Sequence, residues 1–286
     1  MNTTIVICSK DRKEELRRCL QNCLLQTNSP QILVVDDGSS DGTAEMVRDE
    51  FPMVQIHQMA ENVGLIKARN FAANLVKTKF ICSIDDDAFF SHPDIVFETE
   101  KRFGQADIAA IAIPVVQVHE GQRLHQSATP NSWCFTRQFI GTAHMVDVAI
   151  FKEMGGYAPY LFRQEEELDF AIRLFRSGYK IRMSWGAPII HEESRHRNES
   201  LIRYYEARNH MLIILRYTPL LWIPLHAIGN AVNLFRNSPL EFVAILKGYL
   251  NGIWSFWQKS IPREPLSWKE FWAFRALGKN LLSRKA

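Results

Sequence analysis

Three short apolar runs within the first 90 residues each end in polar or acidic side chains, and this repeat constrains the fold more than any other feature. Residues 3–8 run into Ser9-Lys10-Asp11-Arg12, residues 31–35 into Asp36-Asp37-Gly38-Ser39, and residues 80–84 into Asp85-Asp86-Asp87. Segments with apolar residues at helical spacing fall at 13–26, 43–51 and 65–76, with one more short strand at 54–57. Such alternation is the pattern of βαβ units on a mostly parallel sheet. Ligands of these sheets bind at the carboxyl ends of the strands, so the acidic loops are expected to converge on one edge.

Asp85, Asp86 and Asp87 place three like charges at the end of a buried run. Partly burying them is costly without a counter-charge, which a divalent cation supplies. Mg²⁺ borrows one or two carboxylates from protein and completes its shell with water and substrate phosphates, so the triplet points to a phosphate-bearing ligand. A solvated acidic turn is the plainer reading of a lone triplet. Around Asp36 the turn chemistry is ordinary, with Asp41 or Ser40 capping the next helix. That role leaves the consecutive Asp36 and Asp37 unexplained, and they suit hydrogen bonds from a ribose or base edge.

A length of 286 residues accommodates one large catalytic unit and an appendage. Cys8, Cys19, Cys23, Cys82 and Cys134 mostly fall in apolar runs or on helix faces, which argues for packing in a reducing compartment over a disulfide framework. No basic region precedes the first strand, so no signal peptide is expected and the machinery should face the cytoplasm. Charge is uneven: from Arg236 onward nine Lys/Arg stand against three Glu, in a chain of net charge +3.

The acidic loops belong to a longer ordered series. Ser9-Lys10-Asp11-Arg12 is followed by Val35-Asp36-Asp37-Gly38-Ser39-Ser40-Asp41-Gly42-Thr43, Glu61-Asn62-Val63-Gly64, Ala68-Arg69-Asn70 and the aspartate triplet. Next come Phe139-Ile140-Gly141-Thr142-Ala143, Met154-Gly155-Gly156-Tyr157, Glu165-Glu166-Glu167-Leu168-Asp169-Phe170 and Gly178-Tyr179-Lys180. In order and spacing the series resembles the family 2 glycosyltransferases. The resemblance implies an α/β GT-A fold: a mixed, mostly parallel sheet flanked by helices, with a helical C-terminal extension. Residues 1–198 would form the catalytic domain, with donor-binding (1–100) and acceptor-binding (101–198) halves. Residues 199–286 would be a basic, aromatic, helical region.

The same resemblance assigns roles. Ser9, Asp11 and Asp37 would hold the base and ribose of a nucleoside-diphosphate sugar. Asp85 and Asp87 would be the outer members of an Asp-x-Asp motif that binds Mg²⁺ or Mn²⁺, with Asp86 counted in the donor set as the least engaged of the three. Arg69 would position the nucleotide or a neighbouring loop, the alternative being a surface arginine paired to a carboxylate. Glu167 aligns with the family's general base and Glu166 is the runner-up, because three consecutive glutamates stand where a Glu-Asp pair is usual. A base without a protein nucleophile implies inversion. His191, directly after an apolar run, would complete the metal shell. Apart from the resemblance, the basic character of His196 and Arg197 next to it suggests a mobile loop that closes over the diphosphate. Gly141 and Thr142 would line the acceptor pocket together with Trp133, unless Trp133 is core.

The C-terminal region reads differently. Residues 211–232 are apolar but broken by Arg216, Pro219 and Pro224, a poor fit to a spanning helix. Five of the seven tryptophans lie at or beyond Trp222, amid Lys/Arg, which is the composition of a helix lying in a membrane interface. A helical cap or an oligomer interface has the same composition. The expectation is a metal-dependent glycosyltransferase (a hexosyl- or deoxyhexosyltransferase), peripheral at the inner face of a cell membrane. It would act on a glycan or lipid-linked saccharide in cell-surface polysaccharide synthesis, with no nucleic-acid partner and a possible homo-oligomer. A binding or assembly protein with a degenerate site, and a nucleotidyltransferase, are the alternatives.

Overall fold

A computed structural model describes residues 2–192 and 198–278. The amino half alternates as the sequence predicts: β1 (Thr3–Ser9), α1 (Lys13–Cys23), β2 (Gln31–Asp36), α2 (Thr43–Glu50), β3 (Gln55–Gln58), α3 (Leu65–Leu75) and β4 (Phe80–Ser83). Then follow β5 (Ala88–Phe90), α4 (Ile95–Glu100), β6 (Ile108–Ala112), β7 (Val115–Gln117), β8 (Arg123–His125), β9 (Trp133–Thr136) and β10 (His144–Asp147). α5 (Val148–Glu153), α6 (Glu166–Arg176), β11 (Lys180–Ser184) and β12 (Ile189–His191) complete the sheets. Four helices follow: α7 (Glu199–Tyr217), α8 (Ile223–Asn237), α9 (Phe242–Gln258) and α10 (Trp268–Ala276).

Alternation along the strands explains why helices cover both faces. Ile5, Ile7, Ile32 and Val34 point to the layer of α1 and α2, where they meet Leu16, Leu20 and Val47. Val6, Leu33 and Val35 point the other way, to Ile66, Ala68 and Ala72 of α3. Both faces are therefore buried, as a parallel sheet requires. In α1 the buried positions Leu16, Cys19, Leu20 and Cys23 follow the three-and-four spacing of one helix face, and both cysteines are core residues.

The main sheet has eight strands in the order β3-β2-β1-β4-β10-β6-β11-β9. All run the same way except β10 and β9, which pair antiparallel with their neighbours. The chain winds outward from β1 through β2 to β3, then crosses back to place β4 on the other side of β1. This reversal opens a crevice at the carboxyl ends of β1 and β4, the usual place for a ligand in such a sheet. A second sheet, β5-β12-β7-β8, closes one side of it.

The C-terminal helices share the sheet's own core: Leu212, Ile213, Phe256, Phe271 and Phe274 belong to the cluster that holds Phe170 and Leu174. Pro219 explains the break after α7, because the residue before a proline is pushed out of helical geometry, and Thr218 is extended. Pro224 opens α8 within its first turn, where a missing N–H costs nothing. Helices α7 and α9 pack closely over Gly248 and Gly252. A Cβ at Gly248 would lie 2.4 Å from the Tyr204 carbonyl oxygen, and one at Gly252 2.6 Å from that of Arg208. Among the described residues no helix is long and apolar enough to cross a membrane. The outward sides of α8, α9 and α10 nevertheless expose many large apolar side chains, among them Leu225, Ile228, Leu250, Trp254 and Trp257.

Candidate active site

Strand register assembles the acidic end of the crevice. β12 pairs antiparallel with β5, setting His191 opposite Ala88 and so beside Asp87. On its other side β12 runs parallel to β7 and sets His191 opposite Gln117. His191 Nδ1 is 2.8 Å from Gln117 Oε1 and its Nε2 is 3.1 Å from Asp87 Oδ1. If Nδ1 donates to the glutamine oxygen, a neutral ring turns the lone pair of Nε2 toward a carboxylate, and two acceptors can share that space only around a proton or a cation. Ligand atoms of Asp85, Asp87 and His191 all lie within 4.8 Å of one another. One nitrogen and carboxylate oxygens at that separation fit a divalent cation such as Mg²⁺ or Mn²⁺.

Two arginines hold the carboxylates in place. Arg12 bridges Asp86 and Asp87 at 2.9 Å each. Asp86 is buried, accepts the Ser9 hydroxyl at 2.6 Å, and is pushed up to about 7 by its burial, against the opposing pull of Arg12. For Asp87 burial raises the pKa, but His191 and Arg12 outweigh it and leave the carboxylate well below its ordinary range.

Arg69, on α3, is nearly buried and reaches Asp85 at 2.8 Å and Glu166 at 3.0 Å, with Glu167 Oε1 at 3.9 Å. It is paired to carboxylates, as one of the two alternatives expected, but it is buried instead of lying on the helix surface, and it links the triplet to the glutamates. Burial raises both glutamates, and Glu166 adds repulsion to Glu167, which stands well above the carboxylate range despite Arg69. Glu166 is 2% exposed, and its Oε2 is buried with no hydrogen-bond partner among the described residues. Glu167 is the more accessible, facing a cleft of about 900 Å³ that also borders Asp11, Arg12, Asp85, Asp87 and His191.

The turn between Ile140 and Ala143 supplies the facing wall. Thr142 Oγ1 accepts the backbone N–H of Asp85 at 3.0 Å. Gly141 is where a side chain is excluded: its Cβ would lie 2.3 Å from Glu167 Oε1 and 2.8 Å from an Arg69 nitrogen. Both residues line the cleft.

Other expected site residues are placed differently. Asp11 borders the cleft and accepts the Ser40 N–H at 2.8 Å. Asp37 accepts the N–H groups of Val63 at 2.7 Å and Gly64 at 2.9 Å, so its carboxylate anchors the loop before α3. Ser9 is buried beneath Asp86. Trp133 is not brought to the cleft. It is on the edge strand β9, opposite Ser184, exposed, with the Arg182 guanidinium 4.7 Å from its ring centre. It is not core either. His196 and Arg197 lie outside the described residues.

Three contributors escaped sequence reasoning: Arg12, Gln117 and Asn209. The loop leading to Glu166 has positive φ at Phe162, Gln164 and Glu165, a strained path for residues other than glycine. Asn209 of α7, fully buried, reaches it with one amide nitrogen, whose two N–H bonds are shared among the carbonyls of Leu161 at 3.0 Å, Arg163 at 2.6 Å and Gln164 at 2.9 Å. The only sequence signal was an asparagine between Arg208 and His210, just ahead of the apolar run that begins at Met211.

Comparison with known proteins converges on one family. The model described as Glycosyl transferase family 2 matches residues 4–167. Glycosyltransferase GlyA of Streptococcus pneumoniae is 31% identical over 113 residues, 37% of this chain and 16% of that protein. The succinoglycan biosynthesis protein ExoU of Rhizobium meliloti is 29% identical over 89 residues, 30% of this chain and 26% of that protein. The matches thus span about a quarter or less of those relatives' lengths. Among solved structures, S. aureus TarS 1-349 in complex with UDP-GlcNAc aligns with TM-score 0.62 at 14% identity, covering 91% of this chain and 92% of that one. The mannosyltransferase PcManGT from Pyrobaculum calidifontis, in complex with GDP-Man and Mn²⁺, aligns with TM-score 0.59 at 16% identity over 86% of this chain and 73% of that one. These structural likenesses establish the GT-A arrangement of the sheet.

Proposed function

Because this chain belongs to glycosyl transferase family 2, we propose that it transfers a sugar, with inversion, from a nucleoside diphosphate to a hydroxyl of a glycan or lipid-linked saccharide. The observation that carries the reading is the pairing, across one cleft, of the Asp85-Asp87-His191 group with the raised carboxyl of Glu167. The catalytic unit is residues 1–198, with the later helices as its support.

In this mechanism Glu167 takes the proton of the acceptor hydroxyl. Its elevated pKa brings it nearer the range where a carboxylate is an effective base. Glu166 is too buried and too tightly held by Arg69 to reach an acceptor, and serves to keep Arg69 and Glu167 in register. Asp85, Asp87 and His191 would hold Mg²⁺ or Mn²⁺, which when bound neutralises charge on the departing diphosphate. Asp11 and the loop anchored by Asp37 line the nucleoside end. Gly141 leaves the base room, and Thr142 fixes the backbone of Asp85.

We also assign the exposed apolar sides of α8, α9 and α10 to peripheral contact with a membrane, the surface on which a lipid-linked acceptor would be met. Tryptophans with nearby Lys and Arg suit the headgroup region.

The test is a panel of nucleotide sugars screened for thermal stabilisation with and without Mn²⁺ or Mg²⁺, followed by transfer assays on any donor that binds. A metal-dependent shift lost in Asp87→Ala, with turnover lost in Glu167→Gln, supports the assignment. Full turnover in both folded variants would overturn it.

A further inference from the structure

A second cavity, of about 680 Å³, lies between α6, α7, α8 and α10, and its chemistry is unlike that of the cleft. Its floor is apolar, made by buried Ile172, Ile213, Leu266 and Phe271. Its rim is cationic. Arg137 and Arg275 both line it and both are exposed, and among the described residues neither is paired with a carboxylate. Arg275 instead contacts the ring of His226, 2.9 Å from its Nε2. Of the acids nearby, Glu165 is 3.1 Å from His210 and Asp169 accepts the Tyr217 hydroxyl at 2.8 Å, so each is engaged with a residue other than the two arginines.

These charges sense one another. Burial and the Arg275 guanidinium both hold Arg137 below its ordinary value, and burial with Arg275 lowers His226. Burial acts to lower His210, but Glu165 outweighs it and the ring stands raised. An unneutralised pair of guanidiniums above an apolar floor is the complement of an anion attached to a hydrocarbon chain.

The cavity is also joined to the cleft. Gln138 and Leu168 line both, and Leu168 directly follows Glu167. At the other end Leu225 and Trp272 line the cavity and are exposed on the apolar side of the helical layer. A chain lying in it would therefore lead from that outer surface to within one residue of Glu167.

We propose that this cavity binds the phosphate and proximal hydrocarbon of a lipid-phosphate-linked acceptor, with Arg137 and Arg275 holding the phosphate and the floor holding the chain. This rests on the transferase reading above and names its acceptor class. A volume of this size accepts a small-molecule-sized segment, so only the first part of a long chain is enclosed and the rest continues along Leu225 and Trp272.

Binding of farnesyl phosphate, farnesol and inorganic phosphate to the full chain, followed by calorimetry and by tryptophan fluorescence, tests the proposal. Farnesyl phosphate should bind at least about tenfold more tightly than either fragment, since each lacks half of the complementarity. The double variant R137Q/R275Q should lose about tenfold for farnesyl phosphate, remain unchanged for farnesol, and keep metal-dependent donor binding as proof of its fold. Equal affinity for farnesyl phosphate and farnesol, an undiminished double variant, or phosphate binding as well alone would each overturn the site. Failure of donor binding in the unaltered protein would instead strike the transferase reading, so the two can fail separately.

Discussion

In the cleft Arg12 and Arg69 are each shared between carboxylates, whereas at the rim of the second cavity Arg137 and Arg275 meet none among the described residues. The cleft has an excess of acid that waits for a cation, and the cavity an excess of base that waits for an anion. The two regions also hold together differently. Side chains around the cleft are positioned by charge-assisted hydrogen bonds, while the helical layer rests on close apolar packing of α7 on α9. This contrast teaches that function and stability are largely carried by different residues, and each prediction below can break that division.

The largest effect is expected at Glu167. Replacing it with glutamine keeps the volume and removes the base, so turnover should fall by roughly 10²–10⁴, the usual contribution of a positioned base. The melting temperature should hold or rise slightly, since a carboxyl destabilised by burial and by Glu166 has been removed. A marked loss of stability would mean that the charges of the cleft hold the fold together, and the division would fail.

Gly248→Ala should do the reverse. Alanine is the better helix former by up to about 1 kcal/mol. Against that, its Cβ would meet backbone at 2.4 Å, which no side-chain rotation can relieve, so α7 and α9 must separate. Overpacking of this kind costs about 1–3 kcal/mol and should win. Denaturant unfolding measures it, and donor affinity at temperatures where the variant stays folded should not change. Because Asn209 of α7 holds the loop before Glu166, a drop in turnover with intact donor binding would identify the helical layer as part of the catalytic support.

Sequence patterns revealed the amino half well, for a physical reason. Strands β1, β2 and β4 are buried on both faces and end at polar loops, so strand, turn and site residue are written consecutively, while β3 is an exposed edge strand; all seven elements from β1 to β4 appear within a few residues of their expected ends. The remainder depends on pairing between distant segments, which local pattern does not encode. Strand β10 enters antiparallel between β4 and β6, and Gln117 reaches His191 only through the β7–β12 register. Arg12 could be read as part of a motif, but not as the bridge between Asp86 and Asp87, because that depends on β1 and β4 being neighbours. Trp133 shows the opposite error. Its position in the chain suggested the acceptor pocket, yet pairing with β11 carries it to the sheet's edge.

Gly141→Ala sharpens the comparison within the cleft. The clash falls on the mobile ends of Glu167 and Arg69, so the fold can yield cheaply while the base is displaced. Turnover should drop about tenfold or more, as expected when a reacting group is misplaced by an ångström, with little change in melting temperature. Unchanged turnover would show that Glu167 is not the group whose position matters, and would return attention to Glu166.

The effect most confined to acid pH is expected from His144, which lies under the cleft, where its Nδ1 donates to the Ile140 carbonyl at 3.2 Å and its Nε2 accepts the Tyr157 hydroxyl at 2.9 Å. Burial, followed by the nearby Arg69, lowers its pKa from 6.5 to about 3. The unfolded chain therefore takes up a proton below pH 6.5 that the folded chain refuses until about pH 3, so this residue makes stability fall as pH drops through that window. A single proton sets a limiting slope of about 1.4 kcal/mol per pH unit. Unfolding free energies at pH 6.5, 5.5 and 4.5 should decline less steeply in His144→Gln than in the unaltered protein, the difference approaching that limit toward the acid end. Parallel lines would show that His144 is already protonated beside Arg69, and that the charge pattern beneath the cleft is more positive than its geometry implies.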